Sequence, residues 1–193
     1  MPYDFDLLKL KQTEFEPAAG RILISVPYSN DAFFNRTVVL LTDYGPDSTA
    51  GLVLNRKLRY RVNQLADEIR SDAPLYIGGP VRPEHLFLLH NFDSCRSAFK
   101  VAPGLFVGYD NTLLALIEHN AIPAMQYRFL IGYAGWSPGQ LDQELRDNRW
   151  VVGNPTPELV FKTEPDKIWS KAVTILGNDY WHWLQIPKDI HAN

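Results

Sequence analysis

The stretch QYRFLIGYAGWSPGQL, residues 126–141, decides how the chain is read. In its first part Tyr127, Phe129, Ile131 and Tyr133 fall at every second position, which predicts a strand. Its second part reads as a helix start. With Ser137 as N-cap, Pro138 takes the first helical position, where its missing N–H costs nothing, and Gln140 completes an S-x-x-Q capping box. Trp136 and Leu141 then occupy the two positions of a hydrophobic staple, and the helix runs from 138 to about 148. Two glycines stay outside this account. Gly139 sits in the first turn, where alanine would be better by up to about 1 kcal/mol, and Gly135 lies just before the cap. Such glycines point to close approach of backbone or ligand to a helix N-terminus, itself an anion site in waiting. Glu144, one turn beyond Gln140, lies on the same face.

Working outward, RILISVP (21–27), TVVLLT (37–42) and GLVLN (51–55) are apolar, β-branched runs separated by turn-rich sequence, and the last two read as an antiparallel pair. KLRYRV (57–62) alternates, predicting Leu58, Tyr60 and Val62 on an inner face and Lys57, Arg59 and Arg61 on a solvated edge. A short helix capped by Asn63 and carrying Leu65 and Ile69 follows. LYIGGPV (75–81), HLFLLHNF (85–92) and GLFVGYD (104–110) read as further strands, and Asp110, Asn111 or Thr112 caps a helix with Leu113, Leu114, Leu116 and Ile117 on its apolar stripe. ELVF (158–161) reads as a short strand. Thr163 is placed as the cap of a last helix through Ile168, Trp169, Ala172, Ile175 and Leu176, ended by Gly177, with the aromatic tail YWHWLQIP packed down. Strands come in groups with helices inserted singly, which favours a mixed α+β domain over a regular βαβ array.

The chain has 193 residues, 46% hydrophobic and 21% charged, which suits one domain with a sizeable core. A single cysteine, Cys95, excludes an internal disulfide and fits a reducing compartment. The N-terminus lacks the basic and apolar regions of an export signal, and no apolar run approaches the ~20 residues of a membrane span. A cytoplasmic protein without membrane attachment is therefore expected. A net charge of −3 gives no general attraction to nucleic acid.

Chemistry-bearing patterns are sparse. The five histidines are scattered without ligand spacing, so neither a metal nor another cofactor is indicated. No nucleophile elbow is present. Arg56, adjoining Asn55 at the end of a buried strand, is a candidate for lining a pocket. Gly78 and Gly79 can form a concave run of N–H groups able to hold an anion, or a tight turn before Pro80. His90, at the end of LFLLH, is either a buried, hydrogen-bonded histidine or a general base.

These motifs together resemble the bacterial AlgH/YqgE family. The resemblance runs from Gly20 to about Gly177, through GRILISVP, F-x-R-T-V-V with Phe34 and Arg36, GLVLNR, GGPV, LLH, GYAGWSPGQLDQEL with Trp150 after it, and a late W-x-x-A. The family pattern usually has proline where this chain has Lys57, and often a cysteine in the strand that reads TVVLLT here, so no role of that cysteine carries over. The resemblance implies a single α+β domain over 1–193 with 1–19 as an N-terminal extension. It implies a mixed, largely antiparallel bent sheet approaching a pseudo-barrel, flanked by single helices. It also brings a transcriptional-regulator label, although no helix pair reads as a helix-turn-helix and direct nucleic-acid binding is not expected. The leading reading is a non-enzymatic, regulatory module that binds a protein partner or a small anionic ligand. Asp31, Arg36, Asn55, Arg56, Gly78, Gly79, Trp136, Gly139 and Gln140 are its pocket residues. The alternative is an enzyme using His90, Asp31 or Glu144 as acid or base beside Arg36 or Arg56.

Overall fold

The computed structural model describes residues 12–187 apart from Asn30 and Asp67; the first eleven residues of the expected N-terminal extension lie outside that range. Strand β9 (Tyr127–Trp136) is the axis of the molecule, and most of its residues are buried on both faces. On one edge it pairs antiparallel with β6 (Val81–His90). On the other it meets two strands in succession: β5 (Pro74–Ile77) in parallel along Phe129 to Ile131, then β3 (Thr49–Val53) antiparallel along Ala134 to Trp136.

The sheet forks where β5 gives way to β3, and GGP is the fork. Gly78 donates its N–H to Ile131 O and accepts from Val53 N–H, each at 2.8 Å, so its backbone bridges the two strands. A Cβ on Gly78 would fall 2.3 Å from Gly132 O, and one on Gly79 would fall 1.9 Å from the Tyr133 carbonyl carbon. The close approach inferred for these glycines is thus of backbone to backbone.

Beyond β3 the sheet continues through β2 (Val38–Tyr44) and β1 (Ile22–Ser25) to β10 (Trp150–Gly153); beyond β6 it continues through β8 (Leu105–Val107) to β7 (Phe99–Ala102). All these pairs are antiparallel. β10 and β7 end the path without meeting, so the sheet does not close into a barrel. β4 (Lys57–Arg61) pairs only with β5, making it the edge strand expected, with Lys57, Arg59 and Arg61 exposed.

Each helix covers one apolar cluster. α3 (Ile168–Leu176) packs Ile168, Trp169, Ala172 and Val173 with Ile22, Ile24 and Leu40. α1 (Asn111–Glu118) packs Leu113 and Ile117 with Leu75 and Phe129, and its N-cap Asp110 accepts from Leu113 N–H at 2.9 Å. α2 (Gln140–Arg146) sends Leu141 against Leu23, Val39 and Val53 on the opposite face of the sheet from α3. Alternate residues of β1 thereby serve two cores, which is why its sequence is continuously apolar.

Several local expectations are corrected. Tyr60 is 54% exposed: it lies on the edge strand, in the stretch between Lys57 and Arg61 where the register with β5 shifts. Asn63 lies inside a 3₁₀ turn, Val62–Gln64, whose N-cap is Arg61: Gln64 Oε1 accepts from Arg61 N–H at 2.8 Å, and Leu65 is 56% exposed. Residues Glu158–Lys162 form a π-helical turn, buried at Leu159, Val160 and Phe161, where a strand was expected. Thr163 closes that turn by donating to Glu158 O at 3.3 Å and does not cap α3, whose first residue follows a 3₁₀ turn at Pro165–Lys167. β7 and β10, each four residues long, were not foreseen. Gly177 does end α3, and the aromatic tail does pack down through Tyr180 and Trp183.

Candidate anion-binding site

The loop between β1 and β2 is held by Asn55 and Arg56, the second and third residues after β3. Asn55, 9% exposed, accepts from Val38 N–H at 3.0 Å and donates to Arg36 O at 2.9 Å. Arg56 donates through Nη2 to Phe33 O and Thr37 Oγ1, both at 2.9 Å, and reaches Asn35 O as well. One amide and one planar guanidinium therefore hold five polar atoms between Phe33 and Val38, four of the backbone and the Thr37 hydroxyl. At the loop's other end Asp31 Oδ1 accepts from the N–H groups of Phe33 and Phe34 at 2.8 and 3.1 Å, acting as a turn cap.

Arg36 stands at the exit of this loop in a left-handed conformation, φ 49°. Its guanidinium lies 4.7 Å over the ring of Trp169, and Nη2 donates to Ile186 O. Its Nε is buried without a hydrogen-bond partner, and so is Oδ1 of the neighbouring Asn35. Burial pushes the pKa values of Arg36 and Arg56 down, since desolvation works against both charges. Among the described residues no carboxylate lies within ion-pair distance of either guanidinium.

Asn35, Arg36, Asn55 and Arg56 line a cavity of about 790 Å³ whose far wall is the approach to α3. Four cationic side chains (Arg36, Arg56, Lys57, Lys167) and two anionic ones (Glu164, Asp166) face it, leaving an excess of positive charge. The sequence thus brought Arg36, Asn55 and Arg56 to one place, with Asp31 bracing the same loop.

The other pocket residues lie elsewhere, so the single shared pocket is corrected. Gly78 and Gly79 are consumed by the sheet fork. Trp136 lines a second, apolar cavity of about 440 Å³. Gly139 is the second central residue of a Ser137–Gln140 turn closed by Gln140 N–H to Ser137 O at 3.0 Å, with φ 72° and ψ −3°. Pro followed by such a glycine is the type II combination, so Gly139 answers to the turn; nothing lies within 4 Å of a Cβ built there. α2 accordingly starts at Gln140 with Gly139 as its N-cap, later than expected, although Gln140 Oε1 does accept from Ser137 N–H at 3.0 Å as the capping box requires. Trp136 and Leu141 share one buried cluster, but with Gly139 as the N-cap they no longer occupy the two staple positions.

Nor do the acid–base candidates meet. His90 is fully buried: Nδ1 accepts from Phe92 N–H at 3.1 Å, which leaves Nε2–H to donate to Gly108 O at 3.0 Å. Burial holds its pKa below the ordinary histidine value. Glu144 Oε2 accepts the indole N–H groups of Trp136 and Trp150 at 2.9 and 2.8 Å, and Oε1 accepts from Gln140 at 3.0 Å. Both are committed within the structure, and Asp31 is a cap.

The AlgH-like family model (DUF179) matches residues 22–181. The chain belongs to the AlgH-like family. It is similar to a UPF0301 protein of Parabacteroides distasonis, 34% identical over 97% of this chain and 98% of the relative, and to one of Bacteroides thetaiotaomicron, 32% identical over 97% of each. Among solved structures it is similar to the AlgH protein of Pseudomonas aeruginosa (TM-score 0.70, 28% identity, 88% of this chain and 94% of that one). A Corynebacterium diphtheriae protein shares the fold at TM-score 0.76 and 22% identity, over 95% of this chain and 98% of that one.

Two residues of this AlgH-like chain that build the site were not singled out by its sequence. Arg128, 5% exposed in the middle of β9, donates to Leu54 O at 2.6 Å and Thr163 O at 3.2 Å and lies 4.8 Å over the Tyr76 ring. It ties the end of β3 to the π turn beside the cavity. A charge interrupting the apolar run of YRFLI is the signal that could have found it. Trp169, which carries Arg36, donates to Ser25 O at 2.8 Å and stacks on Trp183; its partners lie too far along the chain for local patterning to show. Among the described residues no helix is long and apolar enough to cross a membrane, and no three His, Cys, Asp or Glu side chains form a metal-binding group.

Proposed function

We propose that this AlgH-like chain is a binding module that takes a small anionic ligand in the cavity between the 33–37 loop and the start of α3. One observation carries the reading: Arg36 is half-buried, with its Nε sealed from solvent and unpartnered, beside the more deeply desolvated Arg56, and no described carboxylate pairs with either. Buried charges are ordinarily paired, and an acidic oxygen at Arg36 supplies what is missing. Lys57 and Lys167, at the cavity wall, add attraction for a phosphate or carboxylate. The role that fits is regulatory and cytoplasmic, the ligand altering what the protein contacts. Direct DNA binding is not part of it, because the net charge of −3 opposes a phosphate backbone.

Titration with pyrophosphate, followed by amide chemical shifts, tests this. Shifts at residues 35–37, 56 and 167–170 that weaken in Lys167→Gln and fade with added salt are expected. Absence of shifts there, or retention of the protein on duplex DNA at low salt, contradicts the reading.

A further inference from the structure

The apolar cavity is a second and separate place where a ligand fits. Its floor is a cross-strand pair of small residues, Ala50 on β3 opposite Gly135 on β9. Gly135 is the one glycine of the GYAGWSPG stretch that no backbone demand explains. It does not adopt positive φ. The nearest atoms a Cβ on it would meet are the edge of the Tyr133 ring at 3.2 Å, which would have to give slightly, and Val81 Cγ2 at 3.6 Å, side-chain atoms rather than backbone. What a side chain at 135 would occupy is the cavity itself.

Aromatic rings wall that space. Phe87 and Tyr133 meet edge to face at 6.3 Å between centroids, and Phe99, on the sheet's end strand, lines the same cavity while 52% exposed. At the rim stands Asp47, the one carboxylate on the lining; no Lys, Arg or His joins it there. Among the described residues Asp47 has no ion pair or side-chain hydrogen bond. Aromatic faces carry negative potential and attract cations, and an unpartnered carboxylate at the mouth has the same sign.

We infer that this cavity is a binding site for a small organic cation with an apolar body, an alkyl- or arylamine. Its ring or chain lies on the Ala50–Gly135 floor between Phe87, Tyr133 and Phe99, and its ammonium is directed toward Asp47. The two cavities thus select opposite charges.

Benzylamine, benzyl alcohol and benzoate share a body and differ in charge, so titrating each against the full chain reads out the choice. Benzylamine is expected to shift the amides of 47–50 and 133–138, leaving 35–37 and 167–170 unmoved, and to bind roughly tenfold more tightly than the alcohol. Benzoate is expected to bind more weakly than either. Asp47→Asn, at an exposed turn, should erase most of the preference for amine over alcohol while leaving the fold unchanged. Gly135→Leu should abolish binding by filling the floor; if that variant does not fold, Phe99→Ala should weaken benzylamine by removing a wall. Failure of benzylamine to bind, equal binding of all three probes, or undiminished binding by a folded Gly135→Leu protein overturns the inference.

Discussion

The Trp136 indole N–H donates to the Glu144 carboxylate at 2.9 Å, tying the last residue of the central strand to the helix that follows it. The same oxygen takes the indole of Trp150 from β10, so a single carboxylate gathers the sheet's axis, α2 and the sheet's edge. Glu144→Ala leaves two buried N–H groups without acceptors and is expected to cost about 2–4 kcal/mol. Glu144→Gln keeps one acceptor oxygen and should cost less. Urea unfolding followed by tryptophan fluorescence measures both.

Two glycines of neighbouring motifs should respond very differently to alanine. At Gly79 the new methyl falls 1.9 Å from the Tyr133 carbonyl carbon, inside the sheet fork. Gly79→Ala is expected to lose more than about 4 kcal/mol or to fail to fold. At Gly139 the added methyl meets nothing, and only the left-handed backbone opposes it, for about 1–2 kcal/mol. Equal losses at the two positions, measured by denaturant unfolding, would show that the fork is not as tight as described.

His90 makes stability depend on pH in a definite direction. Its folded pKa lies below the ordinary 6.5 because burial disfavours the imidazolium. Below the unfolded pKa the unfolded chain takes up a proton that the folded chain refuses, so stability is full above about 6.5 and falls as pH drops through it. Imidazole NMR signals of His90 are expected to stay in the neutral form through that range. Titration of His90 at the ordinary pKa in the folded protein is the result that contradicts this.

Arg56→Lys keeps the charge and removes the fork. A lysine ammonium cannot reach Phe33 O, Asn35 O and Thr37 Oγ1 in one plane, so the 33–37 loop should loosen although the charge remains. Faster amide exchange at residues 33–37, with the rest of the sheet unchanged, is the expected signature.

The sequence was most legible where a local rule sufficed. Continuous apolar runs gave β1, β2 and β3, the Asp110–Thr112 stretch gave the start of α1, and Gly177 the end of α3. Arg36, Asn55 and Arg56 converge because they flank the ends of adjacent strands, a relation that follows once β2 and β3 pair. Legibility failed where the reason for a residue lies across the chain. Gly78 and Gly79 look like an anion cradle until Tyr133 is laid against them. His90 looks like a base until Phe92 and Gly108 claim both nitrogens. Glu144 looks like a pocket acid until Trp150 arrives from β10. Gly139 was misread for a nearer cause, since a proline–glycine type II turn and a helix N-terminus share much of their sequence.

The fork in the sheet also governs when the molecule can form. β3, β5 and β6 all lean on β9, which is made only after Gln126, and β1 waits for β10, which ends at Gly153. During synthesis the earlier strands therefore emerge with their apolar faces and edges uncovered, and pairing across so much sequence is slow. For this protein the hazardous interval is the one before Trp136 leaves the ribosome, when hairpins can assemble with one another but have no central strand on which to close; β1 stays uncovered on its other edge until Gly153.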